Sequence, residues 1–186
     1  MIENEVIKNM KSRFSCRKYK PDPIEKEKLE AIIDAAKYAA NGHHLEAWHF
    51  TVITSEEGKQ MLLDAVGPEP ENFKRLAPQG AKWPFPSDFF GAPAVIMISY
   101  DPEAPWPEAG AFLAAGNIMN AAHSLGLAVC ALTVFSKDVF GTPETSKNRE
   151  RFIPDGHQLY LSMVIGYPAS VPRGKAPRKE NVETWL

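Results

Sequence analysis

The chain has 186 residues, 44% apolar and 24% charged, which suits one well-buried core and excludes a disordered or fibrous sequence. Its 21 Lys and Arg against 23 Asp and Glu give a formal net charge of -2, which argues against a dedicated nucleic-acid or anionic-membrane surface. The acidic start Met1–Glu5 lacks a signal-peptide apolar region, no apolar run reaches the length of a membrane span, and the two cysteines, Cys16 and Cys130, lie far apart in sequence. The expectation is a cytoplasmic protein with neither a disulfide framework nor a multi-cysteine metal site.

Ile2, Val6, Ile7 and Met10 recur at helical spacing and predict a first short helix ending near Arg13. Pro21-Asp22-Pro23 breaks the chain and prepares a second helix, capped by Asp22 or starting two or three residues later. Leu29, Ile32, Ile33, Ala36 and Ala40 form its apolar stripe, and Asn41-Gly42 is read as its end. A polar loop, His43 to Ala47, leads into Trp48–Thr54, which alternates as a strand does, and Glu56–Val66 reads as a short helix. Gly67–Gly91 is rich in Pro yet carries Phe73, Trp83, Phe85, Phe89 and Phe90, so it is read as an excursion covering a pocket or a partner subunit.

Ala92–Tyr100 is nearly continuous in apolar residues, the mark of a central strand covered on both faces. Glu108–Leu125 is the longest helical segment, with Phe112, Ala115, Met119, Ala122 and Leu125 expected inward, and its Ala and Gly content predicts close packing. Gly126 stops it. Leu127–Val134 is a further buried strand, Ser136–Arg151 is polar, Pro154–His157 is a turn and Gln158–Tyr167 is the last strand. The Pro-, Lys- and Arg-rich tail ends on Trp185-Leu186, an ending that predicts packing against protein. Helices separate four strands, so the fold is α/β or α+β and part of the sheet is reached by crossovers.

Arg13-Phe14-Ser15-Cys16-Arg17-Lys18-Tyr19 gathers two guanidiniums, an ammonium and a hydroxyl just past the first helix. Arginine forks match phosphate oxygens bidentately; a basic helix end that complements the helix dipole is the competing reading. His44-Leu45-Glu46 is half of a zinc-deaminase signature, but the Pro-Cys-x-x-Cys half is missing. His43, His44 and His49 lack the spacing of a helical metal site. Cys130 is read as a small buried apolar residue, and packing is also the better reading of Cys16.

Arg13-Phe14-Ser15-Cys16-Arg17 resembles the opening Arg-x-Ser-x-Arg element of the FMN-dependent nitroreductase family. Asn41–Phe50, Gly91-Ala92-Pro93 with its strand, Ala121–Leu127, Pro154–His157 and Ile165–Pro168 are similar to the family's later blocks, in the usual order. The resemblance spans essentially the whole chain, read as a single domain over 1–186. It implies a three-layer fold with a central mixed or antiparallel sheet flanked by helices, and a C-terminal arm reaching a partner subunit.

The resemblance further implies an FMN cofactor whose phosphate side is held by Arg13, Ser15 and Arg17, joined by Arg178 and by Lys175 or Lys179. The backbone near Thr133 and Val134 would face the redox-active flavin nitrogen. Phe14 stands where polar residues are common, which implies a ring packed on the flavin. In the loop that usually reads Pro-Ser-x-x-Asn-x-Gln-Pro-Trp, Asn41, His44, Glu46 and Ala47 replace Ser, Asn, Gln and Pro, so Asn41, His44 and Glu46 are candidate flavin contacts. No side-chain acid or base is required, and none is assigned as catalytic. The activity implied is reduction of nitroaromatics, quinones or related small acceptors by NADH or NADPH, in a homodimer with flavin at the subunit interface. The alternatives are a flavin-binding protein without turnover, motivated by His44 and Glu46, and an enzyme reduced by a protein donor such as ferredoxin.

Overall fold

The apolar run in the middle of the chain becomes the strand that both layers cover. In the computed structural model, which describes residues 2–65, 89–132, 146, 148–172, 174, 177–180 and 182–186, all seven residues of β2 (Ala94–Tyr100) are buried. The other elements are α1 (Glu5–Ser12), α2 (Lys26–Lys37), β1 (Trp48–Ile53), α3 (Glu56–Asp64), α4 (Pro107–Ser124), β3 (Ala128–Ala131) and β4 (Gln158–Gly166). Most of the Pro- and aromatic-rich excursion and of the polar segment before Arg151 lies outside the described residues.

The strands form one sheet in the order β1-β2-β4-β3, and every pair is antiparallel. Because β2 and β3 both run opposite to β4, they run the same way, joined by α4 with β4 inserted between them. This is the crossover that the helix-separated strands require. Side chains alternate across the sheet. Ala94, Ile96, Ile98 and Tyr100 meet Ile32 and Ala36 of α2 and Ala114 and Ile118 of α4. Val95 and Met97 face the other way, into a cluster with Leu62, Phe89, Phe152 and Val164.

α4 lies close on the sheet because its inward residues are small. Gly110, Ala111, Ala114, Ala115, Ile118 and Ala122 are buried, and a Cβ added at Gly110 would meet the Tyr100 hydroxyl at 2.8 Å. Of the expected stripe, Ala115 and Ala122 are buried and Met119 and Leu125 pack on the core, whereas Phe112 is 40% exposed, since a ring at that height would hold the helix off the strands.

α1 forms where expected, its Asn4 cap accepting from the Ile7 N–H at 2.9 Å, yet none of its residues is buried and Ile2, Val6 and Met10 face outward. α2 begins at Lys26, the later of the two expected starts, and ends at Lys37, before Asn41-Gly42. Its last turn tightens through Ala39 N–H to Ala36 O at 3.1 Å, which leaves Ala40 exposed and frees Asn41 for the following loop.

The segment after α1 and the segment after β4 are fastened together. Lys20 N–H donates to Tyr167 O and Ala169 N–H to Lys18 O, both at 2.9 Å, around a bridge between Tyr19 and Pro168. The Tyr167 hydroxyl donates to Glu25 Oε2 at 2.6 Å and accepts from Lys28 Nζ at 2.5 Å, while Lys28 pairs with Glu25 at 3.2 Å. The Tyr167 hydrogen bond is the main cause that lowers the Glu25 pKa to about 2 from an ordinary 4.5. A depressed carboxylate stabilises the fold above its ordinary pKa and loses that contribution as pH falls toward the folded value. The melting temperature is therefore expected to fall less steeply in Tyr167→Phe than in the parent between about pH 4.5 and 2, as thermal melts across that window would show.

Candidate functional site

After α1 the chain turns outward at Arg13, whose N–H still closes the helix on Asn9 O at 3.1 Å. It then runs along the open edge of β3. Ser15 bridges Val129 in parallel register, and Cys16 N–H donates to Val129 O at 3.3 Å. Cys16 and Tyr19 point inward, while Ser15, Arg17 and Lys18 face out. Among the described residues the Arg17 side chain has no ion pair or hydrogen bond. Its charge acts on the buried Tyr19 and Cys130, lowering both pKa values against the rise that burial causes. Arg13 is half-buried at the base of the same segment.

The segment is anchored to the C-terminal end of α4. Asn9 Nδ2 donates to Asn120 O at 2.9 Å, Ser12 Oγ meets His123 Nε2 at 2.7 Å, and the Phe14 ring stands edge-on to His123 with centroids 6.2 Å apart. Phe14 thus packs on protein. Arg178 and Lys179 are exposed on the tail, which leaves the sheet at Ala169 beside Lys18. Thr133, Val134 and Lys175 lie outside the described residues.

The second group of candidates sits elsewhere. Asn41 Oδ1 accepts from Glu46 N–H at 2.9 Å and its Nδ2 donates to Ala39 O at 3.3 Å, so this side chain staples the loop. Within it His43, His44 and Glu46 all have positive φ, at 52°, 57° and 50°, and His44 Nε2 pairs with Glu46 Oε1 at 3.3 Å on the surface. Gly42 lies so close to Pro105 that an added Cβ would meet its carbonyl oxygen at 2.5 Å. The His43 ring tilts against Trp106, centroids 6.1 Å apart; Trp106 itself, at φ 51°, opens α4. Backbone held in sparsely populated regions collects at ligand clamps and switches. Trp106 was no site candidate from sequence, although an aromatic flanked by Pro105 and Pro107 is the signal that marks it.

The Arg13–Arg17 segment and the Asn41–Glu46 loop thus lie at opposite ends of α4, whose 18 residues span about 27 Å. They also flank opposite sheet edges, β3 for the first and β1 for the second. Within one chain the two sets are separated by about the length of this helix. A cavity of about 460 Å³ lined by Pro21, Ile24, Lys59, Phe89 and Pro93 includes none of the sequence-derived candidates.

The profile of the nitroreductase family matches residues 10–167. The chain belongs to this family. A protein of Methanothermobacter thermautotrophicus, provisionally named NADH dehydrogenase/NAD(P)H nitroreductase, is 27% identical over 97% of this chain and 88% of its own. An iodotyrosine deiodinase of Nematostella vectensis is 26% identical over 89% of this chain and 67% of its own. The crystal structure of a nitroreductase with bound FMN from Desulfitobacterium hafniense superposes with a TM-score of 0.80 at 25% identity, covering all of both chains. The antiparallel sheet with its helical layers is accordingly the nitroreductase fold.

The donor set at Arg13, Ser15 and Arg17 is chemically suited to a phosphate monoester. Two guanidiniums and a hydroxyl occupy one short segment, and Arg17 is an exposed cation with no protein carboxylate beside it among the described residues. No helix among these residues is long and apolar enough to cross a membrane, and no group of three or more His, Cys, Asp or Glu side chains among them is placed to hold a metal ion.

Proposed function

We propose that this chain is an FMN-dependent oxidoreductase that uses NADH or NADPH to reduce nitroaromatics, quinones or related small acceptors. It acts in the cytoplasm as a homodimer, each chain one FMN-binding domain over 1–186. The observation that carries this reading is the Arg13–Arg17 segment: a phosphate-matching donor set, pinned to β3, with Arg17 exposed and unpaired among the described residues.

Arg13, Ser15 and Arg17 hold the phosphate of FMN, and Arg178 with Lys179 or Lys175 joins them from the tail that departs beside Lys18. The backbone near Thr133 and Val134, outside the described residues, would face the redox-active flavin nitrogen. Bound FMN supplies the hydride and electron chemistry, and the protein supplies binding, orientation and electrostatics. His44 and Glu46, at the far end of α4, contact the flavin of the partner subunit. The separation of the two half-sites supports this division, as do the outward apolar residues of α1 and α4.

The purified protein should be yellow and release FMN on denaturation, bleach with NADH or NADPH, and recolour with a nitro compound. A colourless protein that FMN does not reconstitute would sink the reading. The deiodinase relative favours a second acceptor class, aryl halides; halide release from a halophenol in the same assay would place the chain there.

A further inference from the structure

The two cysteines, distant in sequence, are neighbours across a single isolated bridge. Ser15 and Val129 form a parallel bridge, and the residue after each is a cysteine. The Cys16 N–H bond to Val129 O carries the register through Cys16. Both thiols turn to the same face of the sheet, into the cluster that also holds Tyr19, and Cys16 and Cys130 are 4% and 3% exposed. Paired strands lie about 4.8 Å apart, inside the roughly 4.4–6.8 Å Cα separation that a disulfide spans. Tyr19 reports the same arrangement: after burial, Cys16 and then Cys130 raise its hydroxyl pKa, as sulfurs close to one ring would.

We propose that Cys16 and Cys130 form an oxidisable dithiol whose disulfide fastens the Arg13–Tyr19 segment to β3. The oxidant is hydrogen peroxide. Cys16 reacts first, because it lies on the outermost segment of the sheet, where local opening admits peroxide, whereas Cys130 lies on β3 behind it. The Cys16 thiolate displaces hydroxide from peroxide, giving a sulfenic acid and, with the thiol proton, one water. The Cys130 sulfur then attacks the Cys16 sulfur, the S–S bond forms, and the sulfenic oxygen leaves as a second water. Two thiols and one peroxide give one disulfide and two waters, the two sulfurs losing the two electrons that peroxide gains. The tie holds the segment that carries Arg13, Ser15 and Arg17, and a dithiol reductant releases it. The inference depends on the two sulfurs alone and stands whether or not the chain binds FMN.

The test treats the full chain with hydrogen peroxide, then alkylates it in denaturant and maps its peptides without reduction. The expected result is loss of both alkylatable thiols and a single peptide pair joining Cys16 to Cys130 within one chain. A rise in melting temperature of roughly 5–15 °C should accompany it, with both changes reversed by dithiothreitol. Cys16→Ser and Cys130→Ser should each lose the cross-link and the shift; if either variant fails to fold, the peptide map of the parent decides. Two cysteines still alkylated after peroxide, sulfinic or sulfonic acid at either one without a cross-link, or a link between two copies would each overturn the proposal.

Discussion

Arg17→Ala is expected to raise the FMN dissociation constant about 10- to 100-fold, the loss of charge-assisted hydrogen bonds of roughly 1.5–3 kcal/mol. The melting temperature of the flavin-free protein should move by no more than about 2 °C, as for an ordinary surface substitution in a chain of this size. The split follows from where the side chain lies. Arg17 is exposed and without a hydrogen bond or ion pair among the described residues, while the backbone of its segment is fixed by Cys16 N–H to Val129 O and Lys20 N–H to Tyr167 O. Fluorescence titration with FMN and a thermal melt separate the two quantities. A fall in melting temperature with unchanged FMN affinity would return this cluster to a basic helix end that merely complements the α1 dipole.

A larger effect is expected from pairing two defective chains. Arg17→Glu sets a carboxylate against the phosphate at one end of α4. Gly42→Val forces the loop at the other end, since even a Cβ there would meet the Pro105 carbonyl oxygen at 2.5 Å and backbone cannot give way as a flexible side chain can. Each variant alone should purify almost free of flavin. Co-expressed with different tags and isolated as the mixed dimer, the pair should regain about half the parental FMN content, provided each flavin draws its arginine segment from one chain and its loop from the other. One of the two sites then has both halves intact. No recovery in the mixed dimer would mean that the two groups serve a flavin within one chain, and the division of the site between subunits would fall.

The fold was legible in the sequence where burial decides composition. The run Ala94–Tyr100 has no polar face because both of its faces are covered, and the antiparallel β2 shows that such a run marks a central strand regardless of pairing direction. Helix ends were less legible: Asn41-Gly42 carries a helix-stop signal, but α2 closes four residues earlier and Asn41 bonds across the loop instead. On α4 the apolar periodicity places Ala115, Met119, Ala122 and Leu125 against the core as expected, and only Phe112 departs, because close approach to the sheet at Gly110 and Ala111 leaves no room for a ring there.

Within the site, the residue types at Arg13, Ser15 and Arg17 suggest phosphate chemistry from sequence alone; in the fold Ser15 and Arg17 face outward and Arg13 is half-buried. The distance between that segment and the His44–Glu46 loop was invisible, because it depends on the direction and length of α4. The proximity of Cys16 and Cys130 was invisible for the same kind of reason: a parallel bridge joins stretches that no local pattern connects.

α4 does more than cover a sheet, since its two ends carry the two groups of candidate ligands. It works as a ruler. One residue inserted near its middle would advance one end by about 1.5 Å and turn it by about 100°, swinging the small-residue stripe off Tyr100 and shifting Trp106 relative to His123. Drift in the length of this segment would therefore be penalised by the core and, where the two groups serve one flavin across a dimer, again by the spacing between them.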